Sequence, residues 1–431
     1  MHRKTVLENG VRIISERLDH FRSVSLGIWV NAGSRDEVPE ENGISHFIEH
    51  MIFKGTATRS SLEIAKELDA VGGLSNAFTG AEYTCFHSRV LDRHLGTLTK
   101  ILSDIFLNSV FDPQEMDRER QVILQEINMQ DDTPDELIHL LFSQLFWMND
   151  PLGMPVLGTP DTVSAIRKQT VSDYMKMFYT PERILVAAAG NVDHDRLVSL
   201  FRPLFETLSE TADDPPRVAP KYHAGVSCHY KDLEQVHLCL GGKAPHLSSS
   251  LRFAAAVLNT ILGGNMSSRL FQEIREKRGL AYSVYSFLAP YVDAGLLGIY
   301  VGTGPKEVGR VLKILQREIM KIQKGAISKG DLTATKEHLV GGILLGSENT
   351  DSRMMRLAKN EYIFGRDVPY EELLSEVQRV TVEEVVAVAR EAFQSDSVSL
   401  ATLGPVGTED LDLDSLQFTE RAVRSRKKGK G

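Results

Sequence analysis

The segment Ile44-Ser45-His46-Phe47-Ile48-Glu49-His50-Met51 carries two histidines four residues apart, with a glutamate directly before the second. On an α-helix, residues at positions i, i+3 and i+4 share one face, so His46, Glu49 and His50 converge. Two neutral imidazoles at this spacing can bind one zinc ion and leave room for a carboxylate ligand and a water. Glu49 stays free to act as a general base while the metal lowers the pKa of the water. The spacing therefore predicts a helix that carries a metal-dependent hydrolytic site.

The order H-x-x-E-H is the inverse of H-E-x-x-H and is a known zinc peptidase signature. A chance pattern on a polar helix face is the alternative, so a third protein ligand is needed. Asp112-Pro113-Gln114-Glu115 has the signature of a helix start, and in the helix that follows Glu119 and Glu126 are almost two turns apart on one face. Either glutamate could reach the metal, although acidic residues on helices more often face solvent.

Neighbouring stretches predict the elements around this helix. Asn9-Gly10 separates two strand-like runs, which is the strongest short signal of a β-hairpin, and residues 24–31 form a third predicted strand. Ser60-Ser61-Leu62-Glu63 resembles a capping box, and the amphipathic helix that it opens ends at Gly72-Gly73. Strands and helices alternate without a regular βαβ rhythm, which favours the α+β class.

A linker candidate lies close to the middle of the chain. Residues 209–220 are polar, acidic and rich in proline, which is typical of a flexible connection between domains. We therefore expect a domain at 1–208 and another at 221–420. The basic residues 421–431 are expected to form a disordered tail.

The two halves show weak similarity that keeps the same order along the chain. Glu67-Leu68 followed by Gly73-Leu74 matches Glu273-Ile274 followed by Gly279-Leu280. Each half also ends with an apolar strand that runs into glycine. These matches indicate that the two domains are homologous. The second half has no H-x-x-E-H and offers Leu258-Asn259-Thr260-Ile261-Leu262 at the corresponding place.

Composition and charge exclude several classes of function. The net charge of −9 over 431 residues argues against nucleic-acid binding and against attraction to an anionic membrane. No stretch approaches the eighteen or so apolar residues that a membrane span requires. The three cysteines are far apart and odd in number, which fits a reducing compartment. We expect a soluble, cytoplasmic protein.

Four stretches together resemble one family of peptidases. They lie at residues 46–56, 72–79, 119–126 and 275–282. Together they are similar to the inverted-zincin metallopeptidases of family M16, which include insulin-degrading enzyme, pitrilysin and the mitochondrial processing peptidase. The resemblance covers nearly the whole chain and is strongest to short bacterial members related to the processing peptidase β subunit. It implies an α+β fold of two homologous domains, each a mostly antiparallel sheet covered by helices, as in the LuxS and processing peptidase metallohydrolases.

The resemblance also implies a set of metal-site residues. In that family, the residues that match His46, His50 and Glu126 bind the zinc ion, and the residue that matches Glu119 supports the site. The residue that matches Glu49 is the general base. One zinc ion per chain is expected.

The resemblance implies a second set of residues that bind substrate. The stretch Asn76-Ala77-Phe78 is expected on an exposed edge strand, where an extended peptide can be added to the sheet. An internal strand without a ligand is the alternative. Arg275 and Tyr282 match a pair that binds substrate carbonyls from the second domain, and a tyrosine hydroxyl there can stabilise an oxyanion.

The implied activity is that of a zinc metalloendopeptidase of unstructured or presequence-like peptides, with a chamber between its domains. The implied partner is a second identical chain, or a homologous subunit in a heterodimer. A noncatalytic or partner-dependent subunit of a processing peptidase complex is the alternative, because some relatives have lost the metal motif. A regulatory zinc module would need a closed site with four protein ligands.

Overall fold

The computed structural model describes residues 2–209, 215–394, 397–411 and Phe418. The predicted tail at 421–431 and residues 210–214 of the predicted linker lie outside the described residues. The chain divides into two compact units. One contains the described residues up to Lys221 together with 338–375, and the other contains 222–337 together with the described residues beyond 375.

The first unit is built on a six-stranded sheet. Its strands, in chain order, are β1 (His2–Val6), β2 (Arg12–Arg17), β3 (Ser23–Val30), β4 (Leu74–Thr79), β5 (Thr84–Leu91) and β6 (Ile184–Gly190). Their order across the sheet is β1-β2-β6-β3-β5-β4, and every pair is antiparallel except β2 with β6. The predicted hairpin at Asn9-Gly10 is confirmed, and Gly10 takes the positive φ of 97° that the turn requires.

The second unit is built on a five-stranded sheet. Its strands are β7 (Gly225–Tyr230), β8 (Val236–Lys243), β9 (Ala281–Pro290), β10 (Gly295–Thr303) and β11 (Ser399–Gly404). Their order is β7-β11-β8-β10-β9, and only β7 with β11 is parallel. This order repeats β2-β6-β3-β5-β4 of the first unit strand for strand. The predicted α+β class and the predicted homology of two sheets are therefore confirmed.

Fourteen α-helices are described around the two sheets. They are α1 (Ile44–Ile52), α2 (Ser61–Ala70), α3 (Leu95–Asn108), α4 (Pro113–Asp131), α5 (Pro134–Phe146), α6 (Pro160–Ala165), α7 (Lys168–Phe178), α8 (His194–Phe205), α9 (Arg252–Leu262), α10 (Val308–Gln323), α11 (Lys329–Gly346), α12 (Thr350–Phe364), α13 (Tyr370–Arg379) and α14 (Val382–Ala392). The predicted capping box of Ser60 and Glu63 is present at α2, and Asp112 caps α4 with Pro113 at its first position. Among the described residues, no helix is long and apolar enough to cross a membrane.

Helix α12 differs from the predicted domain boundaries. Its sequence lies within the predicted second domain at 221–420, yet it packs on the first sheet. Met354, Leu357 and Ala358 are buried there against a cluster that includes Trp29 and Leu185. The helices of residues 44–205 cover one face of the first sheet. Because α12 covers the other face, the apolar side chains on both faces are removed from water, which favours this arrangement.

The described part of the predicted linker, residues 215–220, is more ordered than a flexible connection. Arg217 donates hydrogen bonds to both carboxylate oxygens of Asp36, at 3.0 and 2.7 Å, and to the main-chain oxygen of Glu82. Arg35 donates to the main-chain oxygen of Val218 at 2.9 Å. The described residues 215–221 therefore belong to the first unit, held by hydrogen bonds to charged groups.

Candidate metal centre

Helix α1 has two chemically distinct faces. Its apolar face packs into the core of the first unit through Ile44, Phe47, Ile48, Met51 and Ile52, each no more than 1% exposed. Because that face is fixed by packing, the histidines and the glutamate of the motif project together from the other side. This side faces α4, which carries the two glutamates proposed from the sequence.

Three side chains converge as the sequence predicts. Nε2 of His46 lies 3.8 Å from Oε2 of Glu126, and Nε2 of His50 lies 3.6 Å from the same oxygen. One ligand atom from each residue lies within 4.8 Å of the other two, and the described residues contain no other such cluster of three. Two imidazole nitrogens and one carboxylate oxygen at these separations suit a zinc ion with bonds of about 2.0–2.2 Å and leave a coordination position open.

Glu119 lies beside the second histidine of the motif. Its Oε2 lies 3.1 Å from Nδ1 of His50, and its Oε1 forms an ion pair with Nζ of Lys54 at 2.6 Å. A proton on Nδ1 leaves the lone pair of Nε2 directed at the metal position. Glu119 is therefore placed to orient His50, while Glu126 is placed to be the ligand.

Burial sets the protonation of the two other residues of the motif. It lowers the pKa of His46 to about 4, with a smaller contribution from His50, so the imidazole is neutral and able to bind a metal at pH 7. Burial raises the pKa of Glu49, whereas a hydrogen bond from Thr79 lowers it. A carboxyl group with a raised pKa suits transfer of a proton near neutral pH.

Glu49 borders a cavity and is fixed by the neighbouring strand. Its Oε2 accepts a hydrogen bond of 2.6 Å from the Thr79 hydroxyl, at the end of β4. The cavity, of about 490 Å³, lies beside His50 and Glu119 and is lined between α1, α2 and β4. Its apolar lining includes Phe53 and Leu68. This space adjoins the group proposed as the base.

The predicted substrate strand lies at a sheet edge. Among the strands of the described residues, β4 pairs only with β5, so its other side is an edge to which an added strand could pair. Asn76 is exposed, and its Oδ1 accepts a hydrogen bond from the main-chain N–H of Ala77 at 2.9 Å. The side chain of Phe78 lies on the face of the sheet that α12 covers, where its ring lies 5.6 Å from that of Trp29. Phe78 is thus placed to support the strand with its side chain.

Arg275 and Tyr282 lie together in the second unit. Arg275 lies in a π-helical turn at Phe271–Glu276, and Tyr282 is the second residue of the edge strand β9. The guanidinium of Arg275 lies over the ring of Tyr282, 4.7 Å from its centroid. Tyr282 is 77% exposed, so its hydroxyl can meet a ligand.

Two residues next to the predicted set escaped sequence reasoning. Thr79 follows the predicted edge strand directly, and Lys54 lies four residues after His50, two residues beyond the end of α1. The four-residue spacing from His50 was the signal that could have found Lys54. Thr79 gave no such signal, because its contact with Glu49 depends on how β4 crosses α1.

Comparison with known proteins identifies the family of this chain. A family model described as Insulinase (Peptidase family M16) matches residues 12–160, and one described as Peptidase M16 inactive domain matches residues 165–339. A Bacillus subtilis protein named uncharacterized zinc protease YmxG is 39% identical over 407 residues, covering 94% of this chain and 99% of that protein. A Streptomyces coelicolor protein named uncharacterized zinc protease SCO5738 is 41% identical over 412 residues, covering 94% and 90%.

Solved structures show the same fold. A protease from Helicobacter pylori superposes with a TM-score of 0.88 at 22% identity, covering 94% of this chain and 99% of that one. A Pseudomonas fluorescens protein described as a peptidase M16 inactive domain gives 0.87 at 19% identity, with coverage of 94% and 98%. The two sheets and the relatives named zinc proteases place the chain in the zinc protease-like class. The chain belongs to peptidase family M16, as the sequence resemblance indicated.

Proposed function

We propose that this chain is a zinc-dependent endopeptidase that hydrolyses extended, unstructured peptides and binds one zinc ion. The observation that carries the proposal is the convergence of His46, His50 and Glu126, with Glu49 on the same helix beside an open cavity. Membership of family M16 and relatives named zinc proteases support it. When bound, zinc supplies a Lewis acid and lowers the pKa of a water.

The side chains of this chain have separate roles in the proposed reaction. Glu49 accepts a proton from the attacking water and donates it to the leaving amine. The hydroxyl of Thr79 fixes one oxygen of Glu49, which leaves the other for the proton. Glu119 orients His50. Tyr282 is proposed to donate a hydrogen bond to the developing oxyanion.

Substrate selection would follow from the free edge of β4. A peptide that adds to this edge is bound through main-chain hydrogen bonds, which do not depend on its sequence. The cavity beside Glu49 can receive one side chain near the scissile bond. Selection would therefore favour extended conformation over a strict sequence motif. A chamber between domains, pairing with a second subunit and a cytoplasmic location stay predictions.

Digestion of a mixed pool of unstructured peptides, read by mass spectrometry, tests the proposal. We expect the native chain and a Glu115→Gln control to cleave, and Glu49→Gln to lose about 10²–10⁴-fold in rate while it keeps its zinc. Glu115 lies on α4 and hydrogen-bonds to Arg118 on the same helix, so its replacement removes a similar charge without touching the site. A native chain that binds zinc but cleaves nothing would instead indicate a noncatalytic or partner-dependent subunit.

A further inference from the structure

We propose that Glu37 is a positioning residue for the metal centre, because its buried carboxylate caps the first turn of α1 and so fixes the direction of His46. The inference rests on the proposed zinc site. It concerns a residue nine positions before the first histidine, outside the H-x-x-E-H motif.

Helix α1 has no side-chain cap at its own N-terminal position. That position is Gly43, which has φ of 94° and makes no side-chain hydrogen bond. A Cβ there would lie 2.7 Å from the main-chain oxygen of Leu157 and 2.8 Å from Cα of Gly158. Neither the backbone conformation nor the space admits serine, threonine or aspartate, the usual capping residues. The free N–H groups of the first turn must therefore find an acceptor elsewhere.

Glu37 supplies this acceptor with both of its oxygens. Oε2 accepts a hydrogen bond of 2.7 Å from the N–H of Gly43 and one of 2.9 Å from the Asn42 side chain. Oε1 accepts a hydrogen bond of 2.9 Å from the N–H of Ser45. The residue is only 3% exposed, so water cannot replace these bonds readily. Hydrogen bonds to a buried carboxylate are among the stronger ones in proteins.

The turn that carries Glu37 is itself held in place. The neighbouring Asp36 accepts a hydrogen bond from the N–H of Gly33 at 3.0 Å and is bound by Arg217. On the other side of the helix start, the Ser45 hydroxyl lies 2.8 Å from that of Tyr174. The cap is thus a fixed acceptor and not a mobile side chain.

The position of His46 makes this cap relevant to the metal. His46 is the third residue of α1 and lies in the capped turn, whereas His50 lies one turn further along and is oriented by Glu119. The N-terminal end of a helix carries partial positive charge, which a carboxylate offsets when a cation binds nearby. Burial raises the pKa of Glu37 to about 7, and the hydrogen bonds from Ser45 and Gly43 oppose this rise. Loss of the cap should therefore loosen one ligand more than the other.

The zinc affinity of Glu37→Gln, measured at pH 8 by competition with a chromogenic chelator, tests the inference. Glutamine keeps the shape but presents an N–H₂ group to one of the N–H donors, leaving that donor unpaired. We expect affinity to fall about tenfold or more, as for other residues that orient metal ligands. The control is Glu361→Gln, a buried carboxylate of the same unit that is paired with Lys4 and Arg12. It should bind zinc as the native chain does, even if its melting temperature falls equally.

A second measurement includes a test on the native chain alone, which does not depend on the variant folding. In the native metal-free chain, hydrogen exchange should show the amides of Gly43 and Ser45 protected, and they should exchange faster in Glu37→Gln. Unprotected amides in the native chain, native affinity in Glu37→Gln, or an equal loss in Glu361→Gln would overturn the inference. A native chain that binds zinc but cleaves no peptide would overturn the proposed function alone, and one without zinc affinity would overturn both.

Discussion

Helices α1 and α9 occupy equivalent places in two sheets of the same strand order, yet only α1 carries a candidate site. Each follows a central strand, β3 or β8, and each packs an apolar face on its own sheet. Where α1 carries two histidines and a glutamate, α9 continues with Leu258, Ile261 and Leu262, all buried. The packing needed for the fold thus survives in both units, while the chemistry depends on a few residues of one face.

Two carboxylates, one in each unit, also differ in their surroundings. Glu37 in the first unit is buried and caps helix α1, and burial raises its pKa. Glu273 in the second unit binds Lys277, Arg278 and Arg317 near the surface. Hydrogen bonding from Lys277 is the main reason why the pKa of Glu273 falls to about 2. Carboxylates in the first unit organise a site, whereas this one stabilises a surface network.

The largest expected effect is on the metal itself. Glu126→Gln should lower zinc affinity by more than about 100-fold, because it weakens one of three protein ligands. Elemental analysis after dialysis should find close to one zinc per native chain and almost none in the variant. Glu115→Gln, on the same helix, should keep its zinc. Retention of zinc by Glu126→Gln would contradict the ligand set.

Assignment of α12 to the first unit predicts a large stability effect. Leu357→Ala should lower the free energy of unfolding of that unit by about 2–5 kcal/mol, since Leu357 is fully packed. Both tryptophans, Trp29 and Trp147, lie in the first unit, so their fluorescence during urea unfolding reports on it. Leu345→Ala, at a residue that is 71% exposed, should change stability by less than about 0.5 kcal/mol. Equal effects of the two variants would count against this packing.

The variant Tyr282→Phe tests whether the second unit contributes to catalysis. Loss of one oxyanion donor should lower kcat about 100-fold and leave zinc content unchanged. Tyr230→Phe is the matched control, because Tyr230 is 75% exposed on the opposite edge strand of the same sheet. If Tyr282→Phe cleaves peptides at the native rate, the second unit supplies no hydroxyl to the reaction.

Removal of the hydrogen bond to Glu49 should have a smaller effect. Thr79→Val keeps the shape of the residue but loses a charged hydrogen bond, worth about 1.5 kcal/mol or more. We expect kcat to fall about tenfold with zinc still bound, and Thr79→Ser to recover most of it. A fall in Thr79→Val that serine does not restore would indicate a packing effect on β4.

The smallest effect concerns acid stability of the second unit. Glu273 has a pKa of about 2 when folded, below its ordinary value of 4.5, so its stabilising contribution is present above pH 4.5 and is lost as the pH falls toward 2. Glu273→Gln should therefore be less stable than the native chain at pH 7, with a difference that shrinks below pH 4.5. Circular dichroism of metal-free proteins during urea unfolding measures this, and Glu307→Gln is the control. A difference independent of pH would contradict the ion-pair explanation.

Much of this fold could be predicted from the sequence because its signals are local. The Asn9-Gly10 turn, the caps at Ser60 and Asp112 and the spacing of the histidines each depend on residues a few positions apart. Such short-range preferences survive in the folded chain when packing agrees with them. The boundaries at 221–420 failed for the opposite reason, because amphipathic α12 fits any apolar surface and its sequence does not say which one.

By itself, the sequence determined the classes of element, the duplication and the candidate metal-binding residues, since periodicity and side-chain chemistry are properties of short stretches. Only the tertiary structure decided that Met354 lies against Trp29, more than three hundred positions away, and that Thr79 meets Glu49. It likewise decided that Glu37 caps a helix whose own N-terminal glycine cannot. These contacts arise from the path of the backbone through three dimensions, because close packing selects partners by shape and place and not by spacing along the chain.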